Sequence, residues 1–453
     1  MAEWKKDIKM KRVFLAVAFM STLSIQASAT DYYVFKGGKD SNNGTSPATA
    51  WKTIDKVNNS DFGPGDSIFF KGGQTFVGNL FFDATKVGSA SSPLTISSYG
   101  TGRATISAGR DNGIFVYNAG GVDIVNINFA GSGSTVNRAD GIYFYSAGGN
   151  VKHERIYIDR VDVSGFGSAG VLVISDVGYR DVRVTNSTLH DNMKAGFMTW
   201  ASFGLRDVHE NVYVGGVTAY NNTGIATELA GYPSNDGSGI WFTAVSGGTI
   251  ENSVAYNNGA LCNWEGAGAC GIWAIYSTGI TIQNNEAHNN KTRAIDGGGF
   301  DLDKSVRNSV MQYNYSHDND GVGYMLCCGE PDHYGNVVRY NTSVNDGRKN
   351  SMAGIAVYGN VGAAEIYGNT VTMAPPTSGS PPAVLASSGA AVRFLNNTFT
   401  TTGGLAQVNI NNTGAYGLFF QGNQYRDIFK VITPWGSYFS IEAWRQAEGQ
   451  EPL

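Results

Sequence analysis

Gly271-Ile-Trp-Ala274, Gly299-Phe-Asp-Leu302 and Gly323-Tyr-Met-Leu326 repeat one small pattern. Each is a glycine, an apolar residue, a variable residue and a further residue that is apolar in nearly every copy. The pattern stands earlier at Gly113-Ile-Phe-Val, Gly141-Ile-Tyr-Phe, Gly170-Val-Leu-Val, Gly196-Phe-Met-Thr and Gly239-Ile-Trp-Phe, and later at Gly354-Ile-Ala-Val. The intervals along the chain are 28, 29, 26, 43, 32, 28, 24 and 31 residues. Between these copies run apolar strands ending near Asn, such as Ile282-Gln-Asn-Asn285, Met311-Gln-Tyr-Asn314 and Val338-Arg-Tyr-Asn341. Each reads as a short alternating strand, and no interval leaves room for a crossover helix. Two or three short strands repeating every 20–50 residues predict a solenoid. Every strand then returns in the same direction one coil higher, so the sheets are parallel. A propeller would need four antiparallel strands per blade, and no hairpin dipeptides are placed to close them. The expected fold is all-β, a single-stranded right-handed parallel β-helix.

Working outward, the composition agrees. The chain has 453 residues with 60 Gly, 11 Pro and a net charge of -5. Hydrophobic residues at 42% and aromatics at 12% exclude disorder. The Gly has no collagen-like period. The turns of each coil are expected to use φ > 0, which Gly and Asn tolerate. Stacked Asn side chains are expected to hydrogen-bond from coil to coil. The acidic balance excludes a nucleic-acid partner held by bulk charge.

Lys5, Lys6, Lys9, Lys11 and Arg12 precede an apolar run from Val13 to Ile25 and then Ala27-Ser-Ala29. That is the layout of a signal peptide over 1–29, cut after Ala29, and the expected location is extracellular or periplasmic. No other segment is long and apolar enough for a membrane span. The expected plan is an N-terminal cap with first coils over 30–110, coils over 111–425 and a cap over 426–453. In that last cap Ser440, Glu442 and Gly449 mark the start, first turn and stop of a short helix. Four cysteines suit an oxidising compartment. Cys262 and Cys270 are expected to staple one loop. Cys327 and Cys328 are adjacent, so only one easily faces inward, and no zinc-ligand spacing is present.

The segments Asp40-Ser-Asn-Asn-Gly-Thr-Ser-Pro, Ala50-Trp-Lys-Thr-Ile and Phe62-Gly-Pro-Gly-Asp-Ser-Ile-Phe-Phe-Lys-Gly-Gly follow Asp31-Tyr-Tyr-Val. They resemble the entry segment of the pectate-lyase-like superfamily of secreted bacterial β-helix proteins. The closing Glu442-Ala-Trp-Arg-Gln-Ala-Glu-Gly resembles that group's terminal segment. The resemblance implies a polysaccharide substrate and leaves hydrolase, lyase and epimerase open, since fold does not fix reaction.

Alternation within each Gly-anchored strand points the residue after Gly inward and the next outward. The outward stack is Phe115, Tyr143, Leu172, Met198, Trp241, Trp273, Asp301, Met325 and Ala356. The residues two further on include Tyr117, Tyr145, Trp200, Asp303, Cys327 and Tyr358. Aromatic residues on an outward face suit the flat faces of sugars, so Trp200, Trp241, Trp273 and Tyr145 are expected substrate subsites. The alternative is that a long insert such as 200–238 covers them. Asp301 and Asp303 are the acidic members of the stack and are expected to serve as acid and base, which requires no cofactor. Asp296 and Asp320, each before a Gly, stand in reserve. Clustered carboxylates make Ca²⁺ the alternative occupant. His317 is expected to reach the cleft and Arg293 to orient a carboxylate or substrate acid. Pectate-lyase families present a Lys where this chain has Trp241 and Trp273, which leaves Lys349, Arg348 or Arg293 as the base of a calcium-dependent uronate lyase, and the paired carboxylates favour hydrolysis over that reading. A non-catalytic carbohydrate-binding solenoid is the third reading. A monomer is expected.

Overall fold

In the computed structural model, residues 29–226, 236–266, 268–329, 332–387, 389–413 and 417–452 are described. The expected signal peptide, apart from Ala29, lies outside them, as does 227–235 of the 200–238 insert. The chain winds as a right-handed parallel β-helix. Three sheets run its length: a first of 14 strands from Asp31–Val34, a second of 14 strands and a third of 13. Successive strands of one sheet come from successive coils. All paired strands are parallel except Val431–Thr433 with Gly436–Tyr438 at the end. The final helix, Ile441–Glu448, starts at Ser440, whose side chain accepts from the Ala443 N–H, and stops at Gly449 with φ 67°.

The expected register holds. In the second sheet Phe115 pairs with Tyr143, Tyr143 with Leu172 and Leu172 with Met198. The same row continues through Trp241, Trp273, Asp301, Met325 and Ala356. The inward neighbours Ile272, Phe300 and Leu302 are fully buried in the column's main apolar core. Rings repeat on rings there: Phe394 stacks on Phe420 at 4.5 Å and Phe300 on Tyr324 at 5.1 Å.

The turns use φ > 0 as expected, at Asn186, Asn252 and Asn284 and at glycines such as Gly216, Gly247 and Gly279. The anchor glycines that open the repeating strands are not in that region and have a different reason. The anchors are glycine because coils approach closely. A Cβ at Gly141 would lie 2.5 Å from the carbonyl oxygen of Gly170, and one at Gly239 2.5 Å from that of Gly271.

Buried Asn side chains tie coil to coil, as expected. One ladder runs Asn222, Asn258, Asn290, Asn319 and ends on Asp346. A second runs Asn285, Asn314, Asn341, Asn369, Asn397, Asn423 and ends on Glu451. Each side chain satisfies backbone groups that a tight turn would leave unpaired.

Candidate active site

The strand Gly298–Leu302 places Asp301 on the outer face of the second sheet, between Trp273 and Met325 of the neighbouring coils. Asp296 sits in the turn before it with φ 55°, and Asp303 follows directly after it. These three carboxyl groups line one cavity of about 400 Å³. The rest of the lining includes the sulfur-bearing Met325, Cys327, Cys328 and Met352 and the ring of Tyr358.

One carboxyl group and the backbone of the other turn residues are held by hydrogen bonds. The Gly268 N–H donates to Asp296 Oδ2 at 2.6 Å, and Asn350 Nδ2 donates to the Asp296 carbonyl at 3.1 Å. The Asp303 N–H donates to Ala274 O, and His333 Nδ1 lies 3.0 Å from Asp303 O. Yet Asp301 Oδ1 and Asp303 Oδ1 are buried without a hydrogen bond. Unsatisfied buried carboxyl oxygens facing a cavity are costly and mark a functional site more often than a structural one. Burial, reinforced by the charges of Asp303 and Asp296, holds the Asp301 carboxyl well above the usual carboxylate range. Burial pushes Asp303 up to about 7. Burial also raises Asp296, opposed by its hydrogen bond from Gly268. Tyr358, also in the lining, is pushed up to about 12 by burial and then by Asp296.

Several expected site residues lie elsewhere. Trp241 and Trp273 are 2% exposed and belong to a second apolar cluster with Met198, Met325 and Leu385 on the outside of this sheet. They stack at 4.4 Å, and Trp273 Nε1 donates to Ser238 Oγ at 2.9 Å. They are covered core rather than an open sugar platform, although an edge of Trp273 reaches the cavity. Trp200 and Tyr145 line a separate pocket of about 280 Å³ with Asp176. The strand of Trp200 is three strands from that of Asp301, or about 14 Å along the column. Asp320 accepts from the Thr292 N–H at 3.1 Å and faces Lys291 at 3.8 Å, which makes it a turn brace away from the cavity. Arg293 is exposed and does not line the cavity. His317 is on the third sheet, because its strand Tyr315–His317 follows the turn out of the first.

The cysteines also pair differently. Cys327 and Cys328 form a disulfide, whereas Cys262 and Cys270 are buried thiols not joined to each other. The adjacent pair sits where the strand register shifts between Leu326 and Gly329, with Cys328 at φ 61°. Sequence reasoning placed Met325, Cys327 and Tyr358 in the outward stack without seeing that they form the cavity wall.

No family model matches the chain. A stretch of 82 residues is 42% identical to a lacto-N-biosidase of Bifidobacterium longum subsp. longum, which is 17% of this chain and 5% of that protein. Among solved structures, a GH136 lacto-N-biosidase from Eubacterium ramulus aligns with TM-score 0.54 and 19% identity, over 88% of this chain and 68% of that one. The A-module of a mannuronan C-5 epimerase from Azotobacter vinelandii aligns with TM-score 0.50 and 15% identity, over 82% and 87%. These likenesses establish the class as the parallel β-helix, an architecture that here carries a carboxyl-lined cavity. At such identities they establish the fold alone.

Proposed function

We propose that this chain is an exported glycoside hydrolase acting on a neutral glycan, with Asp303 and Asp296 as its reacting carboxyl groups. The observation that carries the reading is the cavity itself, in which three carboxyl groups share one lining with apolar side chains. Asp303, raised to about 7, is matched to proton transfer near neutrality and acts as the general acid. Asp296, partly exposed and receiving a backbone N–H, serves as the charged partner. Asp301 shares the outward face with Asp303 but lies deeper, at 3% exposed. It holds its proton and spares the other two a third buried charge.

A uronate lyase fits less well. Its acidic substrate would meet three carboxyl groups, and among the described residues no Lys or Arg side chain lines the cavity to neutralise it. Hydrolysis by paired carboxyls needs no metal, so a chelator should leave the rate unchanged. The local likeness to a lacto-N-biosidase makes a chromogenic lacto-N-bioside the first substrate to try, followed by a panel of neutral polysaccharides. Asp303→Asn and Asp296→Asn are each expected to lower kcat by roughly 10²–10⁴-fold. Full activity in either variant, or an unsaturated product absorbing in the ultraviolet, would overturn the reading.

A further inference from the structure

His317 is set aside by the cavity but not by the fold. On the outer face of the third sheet, Glu286 and His288 lie on the strand Glu286–His288, with Ala287 between them fully buried. His317 is the register partner of His288 on the next coil. The two imidazoles stack at 4.8 Å with planes 8° apart. Glu286 Oε1 lies 3.2 Å from His317 Nε2 and 3.8 Å from His288 Nε2. One donor atom from each of the three lies within 4.8 Å of the others. None of the three lines the cavity.

We propose that Glu286, His288 and His317 form a binding site for a divalent first-row transition metal, with Zn²⁺ as the representative ion, that clips two successive coils together. Zinc holds nitrogen and oxygen ligands at about 2.0–2.1 Å, so tetrahedral ligand atoms stand roughly 3.3 Å apart. The present 3.2 and 3.8 Å separations from Glu286 are near that spacing, and the two stacked imidazoles must tilt toward one another to share one ion. Two imidazoles and one carboxylate suit zinc, copper or nickel rather than calcium, which takes oxygen.

The surroundings supply the outer support such sites use. His317 Nδ1 is 2.9 Å from Asp318 Oδ2, so Nδ1 can keep a proton when a metal ion replaces the Nε2 proton now facing Glu286. The Asn289 amide reaches His288 Nδ1 at 2.9 Å, and with its oxygen turned inward it does the same. The three ligands are half-buried, leaving the fourth position open to water.

The column contains its own control. His190 has the same outer carboxylate, Asp191 at 2.6 Å, and a second, Asp162, at 3.3 Å. Its stacking partner at 4.7 Å is Tyr220, so a second imidazole is missing. It should not hold the ion.

The test titrates zinc chloride into the full chain, free of any histidine tag and stripped with a chelator, by calorimetry and thermal unfolding. The expected result is one zinc per chain and a higher unfolding midpoint, because the ion binds only the folded column. His288→Gln, His317→Gln and Glu286→Gln should each weaken binding by about tenfold or more, and His190→Gln should not. Metal-free unfolding midpoints within a few degrees of wild type show that the variants fold. The visible spectrum of the Co²⁺ form, lost in His317→Gln, reports the ligands directly. No zinc uptake by the wild type, or equal uptake by His317→Gln, would overturn the proposal.

Discussion

A side-chain oxygen of Asp303 lies within 4.8 Å of the Cys327 sulfur, which is bonded to Cys328. The disulfide therefore forms part of the wall of the same cavity as Asp303. On the function proposed above, that wall meets the substrate's C–H face while the carboxyl groups meet its oxygens.

Opening that wall should therefore weaken substrate binding before it slows chemistry. Cys327→Ser/Cys328→Ser is expected to raise KM by about tenfold, near the value of one apolar contact in a pocket. The change in kcat should be much smaller. Steady-state kinetics of this variant, and of wild type after reduction confirmed by thiol titration, check it. Unchanged KM in both would show that the disulfide serves the strand end alone.

The raised Asp303 carboxyl predicts how stability depends on pH. Its value near 7 in the folded column lies above that of the unfolded chain, about 3.9. Between those values the folded state binds more protons, so its contribution to stability is present at low pH and lost as pH rises through about 7. Asp303→Asn removes the group. The variant is expected to unfold a few degrees higher than wild type at pH 8, with the gap closing by pH 4–5. Thermal unfolding at both values measures the gap, and a variant less stable at pH 8 would contradict the argument.

Trp273 separates a covered ring from an exposed sugar platform. It is 2% exposed, stacked on Trp241 and hydrogen-bonded to Ser238. Trp273→Ala should cost about 3–5 kcal/mol, as for other buried aromatics. A drop in the thermal midpoint is the readout. Loss of activity with unchanged stability would return Trp273 to the role of an open subsite.

What the sequence made legible, and what it did not, follows from the kind of signal each residue carries. A period of two says whether a side chain points in or out, so the row Phe115, Tyr143, Trp241, Trp273, Asp301 and Met325 could be read without coordinates. It does not say what covers the outside. Trp241 is buried in an outer apolar cluster, with Trp200 at 5.4 Å and Trp273 at 4.4 Å between ring centroids, a packing that the period of two does not report. Nor does it say which of three faces a strand joins, which is why His317 was expected at the cleft and lies on another sheet. The Cys262–Cys270 staple was inferred from spacing in sequence, whereas the bond formed is between adjacent residues where the strand register breaks.

The Asn ladder gives the sharpest stability prediction. Asn341 is 1% exposed and uses its whole amide. Its Nδ2 donates to Asn369 Oδ1 and to Met311 O, both at 3.0 Å. Its Oδ1 accepts from the backbone N–H and the Nδ2 of Asn314, also at 3.0 Å. Asn341→Ala strands the backbone N–H and one Nδ2 proton of Asn314 and the Met311 carbonyl, all on the preceding coil and away from water, while Asn369 Oδ1 keeps its bond from the residue 341 N–H. At about 1–3 kcal/mol for each buried group left unpaired, the loss should reach at least about 3 kcal/mol. Asn341→Asp keeps the acceptor but turns the donor into a second acceptor facing Asn369 Oδ1. It should destabilise as well, and more at high pH, where the carboxylate is charged. Asn150→Ala, at an exposed turn, is the control and should stay within about 0.5 kcal/mol. Thermal unfolding of the three variants at pH 5 and pH 8 tests the ordering. Equal midpoints for Asn341→Ala and Asn150→Ala would mean that the coils are held by their apolar stacks, with the ladder adding nothing.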